Sequence, residues 1–148
     1  VLYALIRTES FFSNNIISAA GARGLTQLMD LTADEIAMRL KRSDYNLLDP
    51  ATNIEFGAYY LAYLTKRLGG APLTAFFAYN AGIGRVRRWI NNSHLELGRH
   101  AASDLFLETI PYSETRDYGR KLISASAMYA SLYYDMPVSA VVKKITNR

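Results

Sequence analysis

The sequence predicts an all-α fold, several short helices around one core. Apolar residues recur at i, i+3, i+4 and i+7 along most of the chain. No run alternates apolar and polar residues for long enough to make a useful strand, and no internal repeat is present. Proline, glycine and capping residues cut the chain into helix-sized pieces.

The first helix is expected from Val1 to about Ser13, with Leu2, Leu5, Ile6, Glu9 and Phe12 on one face. A loop rich in Ser, Asn, Ala and Gly follows, through Gly21 and Gly24. Thr32-Ala33-Asp34-Glu35 has the form of a capping box and opens a helix to about Lys41. Asp49-Pro50 marks the next start, a carboxylate at the N-cap and a proline in the first turn. That helix holds Ile54, Ala58, Leu61, Ala62 and Leu68, and stops at Gly69-Gly70. A fourth begins near Pro72, runs through Leu73, Phe76 and Phe77, and ends in the turn Asn80-Ala81-Gly82. Val86 to about Asn91 reads as a short basic helix, and Asn92 to Ala102 as a polar loop carrying His94 and His100. Ile110-Pro111-Tyr112 breaks the chain, and Ser113-Glu114 caps a long final helix through Leu122, Ala125, Met128 and Leu132.

A chain of 148 residues is long enough for one domain with its own core. Its opening, Val1-Leu2-Tyr3-Ala4-Leu5-Ile6, reads as a domain (1–148) excised from a longer protein. With 50% hydrophobic and 20% charged residues the balance is globular. The absence of cysteine excludes disulfides, thiolate metal sites and a cysteine nucleophile. The two histidines stand six apart and lack helical ligand spacing, so neither a metal nor another cofactor is expected. Uncharged apolar stretches such as Ala71 to Phe77 are too short to span a bilayer. The net charge of +4 favours an anionic partner. Arg85, Arg87 and Arg88 beside Trp89 are compatible with a solvated face, nucleic acid or an anionic wall polymer; the modest charge argues against nucleic acid.

Glu9 is the residue with the clearest chemical content. A carboxylate on an apolar stripe loses solvation, which favours its protonated form. A general acid needs that form near neutral pH. The structural alternative is a helix-end glutamate that reaches past the stripe into water.

The surrounding residues bear on that choice. Ile6-Arg7-Thr8-Glu9-Ser10-Phe11-Phe12, then Ser18 and Gly21-Ala22-Arg23-Gly24-Leu25-Thr26-Gln27-Leu28-Met29, resembles the opening motifs of the soluble lytic murein transglycosylase catalytic domain. Ala78-Tyr79-Asn80-Ala81-Gly82-Ile83-Gly84-Arg85-Val86 is similar to that family's second motif, and Glu108 to Tyr118 to its third. The resemblance implies a lysozyme-like helical bundle around a sugar-binding groove. It also implies cleavage of the bond between N-acetylmuramic acid and N-acetylglucosamine, leaving 1,6-anhydromuramoyl ends. By the motifs, Glu9 matches the single catalytic acid and base, and Ser18 a serine near the substrate N-acetyl group. Gly24, Gln27 and Met29 match groove positions, Tyr79 and Asn80 residues facing the glutamate, and Glu108 an acidic groove position. Thr26 stands where the family often has methionine, and Asp30 where it usually has proline.

One-carboxylate chemistry agrees with the rest of the sequence. Paired-carboxylate glycosidases hold two acids about 5–9.5 Å apart. Here Asp30, Asp34, Glu35 and Glu55 sit at polar helix starts or beside charges, where capping is the expected role. A 2-acetamido sugar supplies its own nucleophile, a recognised exception to the paired rule. The expected activity is a peptidoglycan lyase working as a monomer on glycan strands in the bacterial periplasm or envelope. A hydrolytic muramidase resembling goose-type lysozyme is the enzyme alternative, with Asp30 as the second carboxylate to watch. A non-catalytic wall-binding module is the alternative of another class.

Overall fold

The structure, a computed structural model, describes residues 1–92 and 102–146, with side chains described from Leu105 onward in the second stretch. Of the polar loop expected from Asn92 to Ala102, residues 93–101 with His94 and His100 lie outside the described residues, while Asn92 and Ala102 themselves are helical. Among the described residues there are eight helices and no strand, only two isolated bridges pairing Arg23 with Ile17 and with Leu28. The chain divides into two compact units, Leu2–Tyr60 and Leu61–Arg148 with Val1.

The first unit holds α1 (Leu2–Ser10), α2 (Asp30–Leu40) and the opening of α3 (Pro50–Arg67). Leu5, Leu28, Ile36, Leu47 and Phe56 are buried. α1 is shorter than expected because Phe11 and Phe12 both adopt left-handed backbone angles, φ 49° and 64°. Phe12 is thereby off the apolar stripe and half exposed. α2 starts at Asp30, two residues before the expected capping box, from an extended Met29 with no side-chain cap. The bridge at Leu28 already delivers the chain in that extended form, so the Thr32-Glu35 box lies inside the helix instead of opening it.

α3 starts where Asp49-Pro50 predicts. The Thr52 N–H donates to Asp49 Oδ2 at 2.8 Å, an N-cap bond. That bond holds the Asp49 carboxyl below its ordinary value. A depressed carboxylate adds stability above its unfolded pKa and loses it as pH falls through the folded one. Asp49→Asn is therefore expected to flatten the acid side of a plot of melting temperature against pH, which thermal melts across that range would test.

The second unit contains the end of α3, then α4 (Pro72–Ala81), α5 (Ile83–Asn92), α6 (Ala102–Thr109), α7 (Ser113–Tyr134) and α8 (Val138–Thr146). α4 is its core element: every residue from Leu73 to Ala78 is buried, and the helix packs against α5, α7 and α8. The Phe77 ring meets Phe106 of α6 edge-on at 6.0 Å. α5 opens at Ile83, three residues before the expected start, because Gly82 at φ 88° turns the chain and its carbonyl accepts from the Val86 N–H. α7 starts at Ser113 itself, after an extended Tyr112 and with no side-chain cap. It ends at a left-handed Asp135 and is not the last helix, since α8 follows. No described helix is long and apolar enough to cross a membrane.

Candidate active site

The expected site residues fall into two sets, one in each unit. Glu9, Ser18, Gly24, Gln27 and Met29 belong to the first; Tyr79, Asn80 and Glu108 belong to the second.

Glu9 is the penultimate residue of α1 and is half-buried, behind fully buried Ala4 and Leu5. The next residue, Ser10, is buried, and its hydroxyl stands 2.8 Å from the Leu25 carbonyl and 3.0 Å from that of Ile6. The end of Glu9's helix is thus tied to the loop that carries Gly24 and Gln27.

That loop is closed by its own bonds. Ser18 Oγ accepts from the Ala22 N–H at 3.0 Å, and the Gly24 N–H donates to the Ile16 carbonyl at 2.9 Å. The Gln27 side-chain nitrogen donates to the carbonyls of Gly24 at 2.9 Å and Ile16 at 3.3 Å, so its Oε1 is the end left to meet an outside donor. Met29 is 44% exposed. Gly24 has φ 73°, and a Cβ there would strike the Asn53 amide and the Leu47 carbonyl.

Asn53, on α3, is the residue that sequence reasoning missed. It is 0% exposed. Its Oδ1 accepts from the Thr26 backbone N–H at 2.7 Å and faces the Thr26 hydroxyl at 2.7 Å. Its Nδ2 donates to the carbonyls of Leu47 at 2.8 Å and Arg23 at 2.9 Å. The departure at Thr26 has a physical basis here: the side chain is fully buried, its hydroxyl meets Asn53, and a Cβ on Gly57 would strike it. Asp30 is engaged as well, paired with Arg23 at 3.1 Å and accepting from Arg23 Nη2 at 3.2 Å.

In the second unit Tyr79 is half-buried and Asn80 exposed, at the end of α4. Asn80 Oδ1 accepts from the Thr115 hydroxyl at 2.7 Å. Thr115 is 2% exposed on the first turn of α7, so a buried group fixes an exposed amide. Glu108 lies near the end of α6 with both oxygens within 2.8 Å of Arg120 Nη2, and Arg120 also bonds Asp117 at 2.9 Å. Among the described residues no group of three or more histidine, aspartate or glutamate side chains is placed to hold a metal ion.

Thr115→Val removes the hydroxyl that donates to Asn80 Oδ1 and is expected to cost about 1 kcal/mol of stability, which Thr115→Ser should largely restore. Thermal melts of the two variants test this, and equal losses in both would mean that the bond contributes nothing.

Comparison with known proteins bears on what these residues do. The family described as "Transglycosylase SLT domain" matches residues 1–100. The soluble lytic murein transglycosylase of Escherichia coli is 38% identical over 138 residues, covering 90% of this chain and 21% of that protein. Two solved structures are similar at 36% identity and TM-score 0.82. One is the 70 kDa soluble lytic transglycosylase of Escherichia coli, matching 95% of this chain and 22% of that one. The other is the lytic transglycosylase Slt of Pseudomonas aeruginosa in an inactive glutamate-to-glutamine mutant, matching 93% and 22%. The chain thus spans about a fifth of the length of these relatives. The fold is all-α and of the lysozyme-like class. The chain belongs to the Transglycosylase SLT domain family.

Proposed function

We propose that this chain is a peptidoglycan lytic transglycosylase that uses Glu9 as its single acid and base. The observation that carries the reading is Glu9's placement, half-buried at a helix end that Ser10 locks to the motif loop. Membership of the family supports it, as does the inactivity of the glutamate-to-glutamine relative. The family match runs through residues of both units, which supports treating the chain as one catalytic domain.

The steps balance without water. The acetamido carbonyl oxygen of the muramic sugar attacks its own anomeric carbon while the Glu9 carboxyl protonates the departing glycosidic oxygen. The Glu9 carboxylate then takes the proton of the sugar's 6-hydroxyl. That oxygen closes on the anomeric carbon, and the acetamido group is released. The attack is intramolecular, so binding the sugar in the right pucker meets most of its entropic cost. Gln27 Oε1 and the Ser18 hydroxyl are suited to the acetamido and neighbouring groups, and Met29 to the apolar face of a ring. Asp30, held by Arg23, is poorly placed to serve as a free water-activating base, which disfavours the muramidase alternative.

The test is the product. Digestion of purified peptidoglycan, analysed by mass spectrometry, is expected to give anhydromuramoyl ends, each one water lighter than a hydrolysed end. A digest dominated by reducing ends would replace the lyase with a muramidase. Such a substrate places the work of the chain in the cell envelope.

A further inference from the structure

Arg23 holds the chain on both sides of Met29. Its backbone N–H donates to the Leu28 carbonyl at 2.9 Å, and its carbonyl accepts from the Leu28 N–H at 3.1 Å. The Asn53 amide fixes that carbonyl a second time, at 2.9 Å. The Arg23 side chain reaches the residue on the other side of Met29. Its Nε lies 3.1 Å from Asp30 Oδ1, and its Nη2 donates to Asp30 Oδ2 at 3.2 Å. Leu28 is buried, so the first attachment is sheltered from water. The second is open to it, since the Arg23 and Asp30 side chains are 41% and 60% exposed.

Burial does little to fix the chain at this point. Met29 is the N-cap of α2 and makes no side-chain cap bond. Met29, Asp30 and Leu31 are all exposed, and the first buried residue of α2 is Ala33. Asp34 stands four residues after Asp30 on the same side of the helix, but it is engaged elsewhere: its Oδ1 accepts from the Tyr45 hydroxyl at 2.6 Å. The direction of the Met29 side chain therefore depends on a contact that salt weakens. An exposed pair of this kind is worth up to about fivefold in an equilibrium constant.

We propose, resting on the transglycosylase reading above, that the Arg23–Asp30 pair is a latch that sets Met29 against the bound sugar and so makes glycan affinity depend on ionic strength. Arg23 and Asp30 are positioning residues that act through Met29 and do not touch the glycan. With the latch closed, Met29 has φ −78° and ψ 146°. Those extended angles are also the ones that a following proline favours. Asp30 is the first helical residue of α2, where the missing N–H of a proline costs no helix bond. Asp30→Pro should therefore hold Met29 by covalent geometry in place of charge.

The measurement is calorimetric titration of the full chain, in a Glu9→Gln background, with an oligomer of N-acetylglucosamine. That ligand is uncharged, so salt acts on the protein alone. Monovalent salt is raised from about 0.01 to 1 M, which shortens the Debye length from about 30 to about 3 Å. The parent is expected to lose about threefold in affinity over this range. Asp30→Asn should bind about threefold more weakly than the parent at low salt and show no salt dependence. Arg23→Gln should do the same, and the two changes together should cost no more than either alone. Asp30→Pro should recover the low-salt affinity of the parent and keep it at high salt. In a Met29→Ala background the salt dependence should vanish. Asp30→Asn binding as the parent does at low salt would overturn the proposal, as would salt dependence that survives in Asp30→Asn or in Met29→Ala. Asp30→Pro binding as weakly as Asp30→Asn would also overturn it, because the carboxylate would then be meeting the sugar directly. Thermal melts identify any variant that binds weakly because it has unfolded, and the proline variant keeps the test decisive in that case. Anhydromuramoyl ends are read separately, so this inference and the lyase reading fail on different results.

Discussion

Glu9→Gln is expected to lower the release of soluble muropeptides from peptidoglycan by about 10⁴-fold while the protein stays folded. General acid–base assistance is worth about 10²–10⁴-fold, and in the proposed mechanism one residue serves both halves of the reaction, so the upper end applies. Glutamine keeps the length and shape of the side chain but has no proton to give the leaving oxygen. Its amide is also too weak a base to take one from the 6-hydroxyl. Since Glu9 is only half-buried, exchanging it for an amide of equal size should move the melting temperature by no more than a few degrees. The control is Glu35→Gln, an exposed residue within α2. Because Glu35 lies inside its helix and caps nothing, that change should leave both activity and stability near the parent's. Wild-type turnover in Glu9→Gln, or outright loss of the fold, would return Glu9 to a structural role.

The helices with strong punctuation were legible in the sequence. Asp49-Pro50 before α3, Gly69-Gly70 after it and Pro72 before α4 each impose a local conformation that packing reinforces. Where a boundary depended on tertiary contact, the sequence pointed a little astray. Thr32-Glu35 has the residues of a capping box, but the bridge at Leu28 fixes the start of α2 two residues earlier. The helical pattern of α1 continues on paper to Phe12, yet Phe11 and Phe12 turn left-handed once Ser10 is tied to Leu25. α6 and α8, of eight and nine residues, were not expected because helices so short are marginal on their own, although Val138, Val141, Val142 and Ile145 of α8 keep helical spacing; packing on α7 sustains both.

The site shows the same division. Glu9, Ser18, Gln27, Tyr79 and Asn80 were visible as chemistry-bearing residues in recognisable motifs. The groups that hold them were not. Thr115, Arg120 and Asn53 lie 35, 12 and 27 residues from the partners they fix, and no local pattern announces a bond across that distance. An asparagine followed by Ile54 on a helix reads as an ordinary polar position until the fold brings Thr26 and Leu47 to its two ends.

That placement makes Asn53→Asp the second large effect. The aspartate has the same outline, so no cavity forms and the Thr26 donors still find an acceptor at Oδ1. The other end changes sign: an oxygen replaces the Nδ2 that donates to the Leu47 and Arg23 carbonyls. The Leu47 carbonyl loses its donor, the Arg23 carbonyl keeps only the Leu28 N–H, and an ionised carboxylate would face both in a site with no exposure, which costs more than a neutral mismatch. Each unsatisfied buried group costs about 1–3 kcal/mol. The expected loss at neutral pH is therefore at least about 3 kcal/mol, or roughly 10 °C in melting temperature for a chain of this size. Asn53→Ala should cost a similar amount by a different route, since the Thr26 N–H loses the Oδ1 acceptor, the Leu47 carbonyl loses the Nδ2 donor, and a cavity is left between them. Activity of the folded fraction should fall too, because Gly24 and Gln27 are held on the loop that Asn53 anchors. Thermal melts with activity normalised to folded protein would check both halves. A melting temperature within about 2 °C of the parent would mean that the loop is held by its own bonds and that Asn53 is dispensable to it.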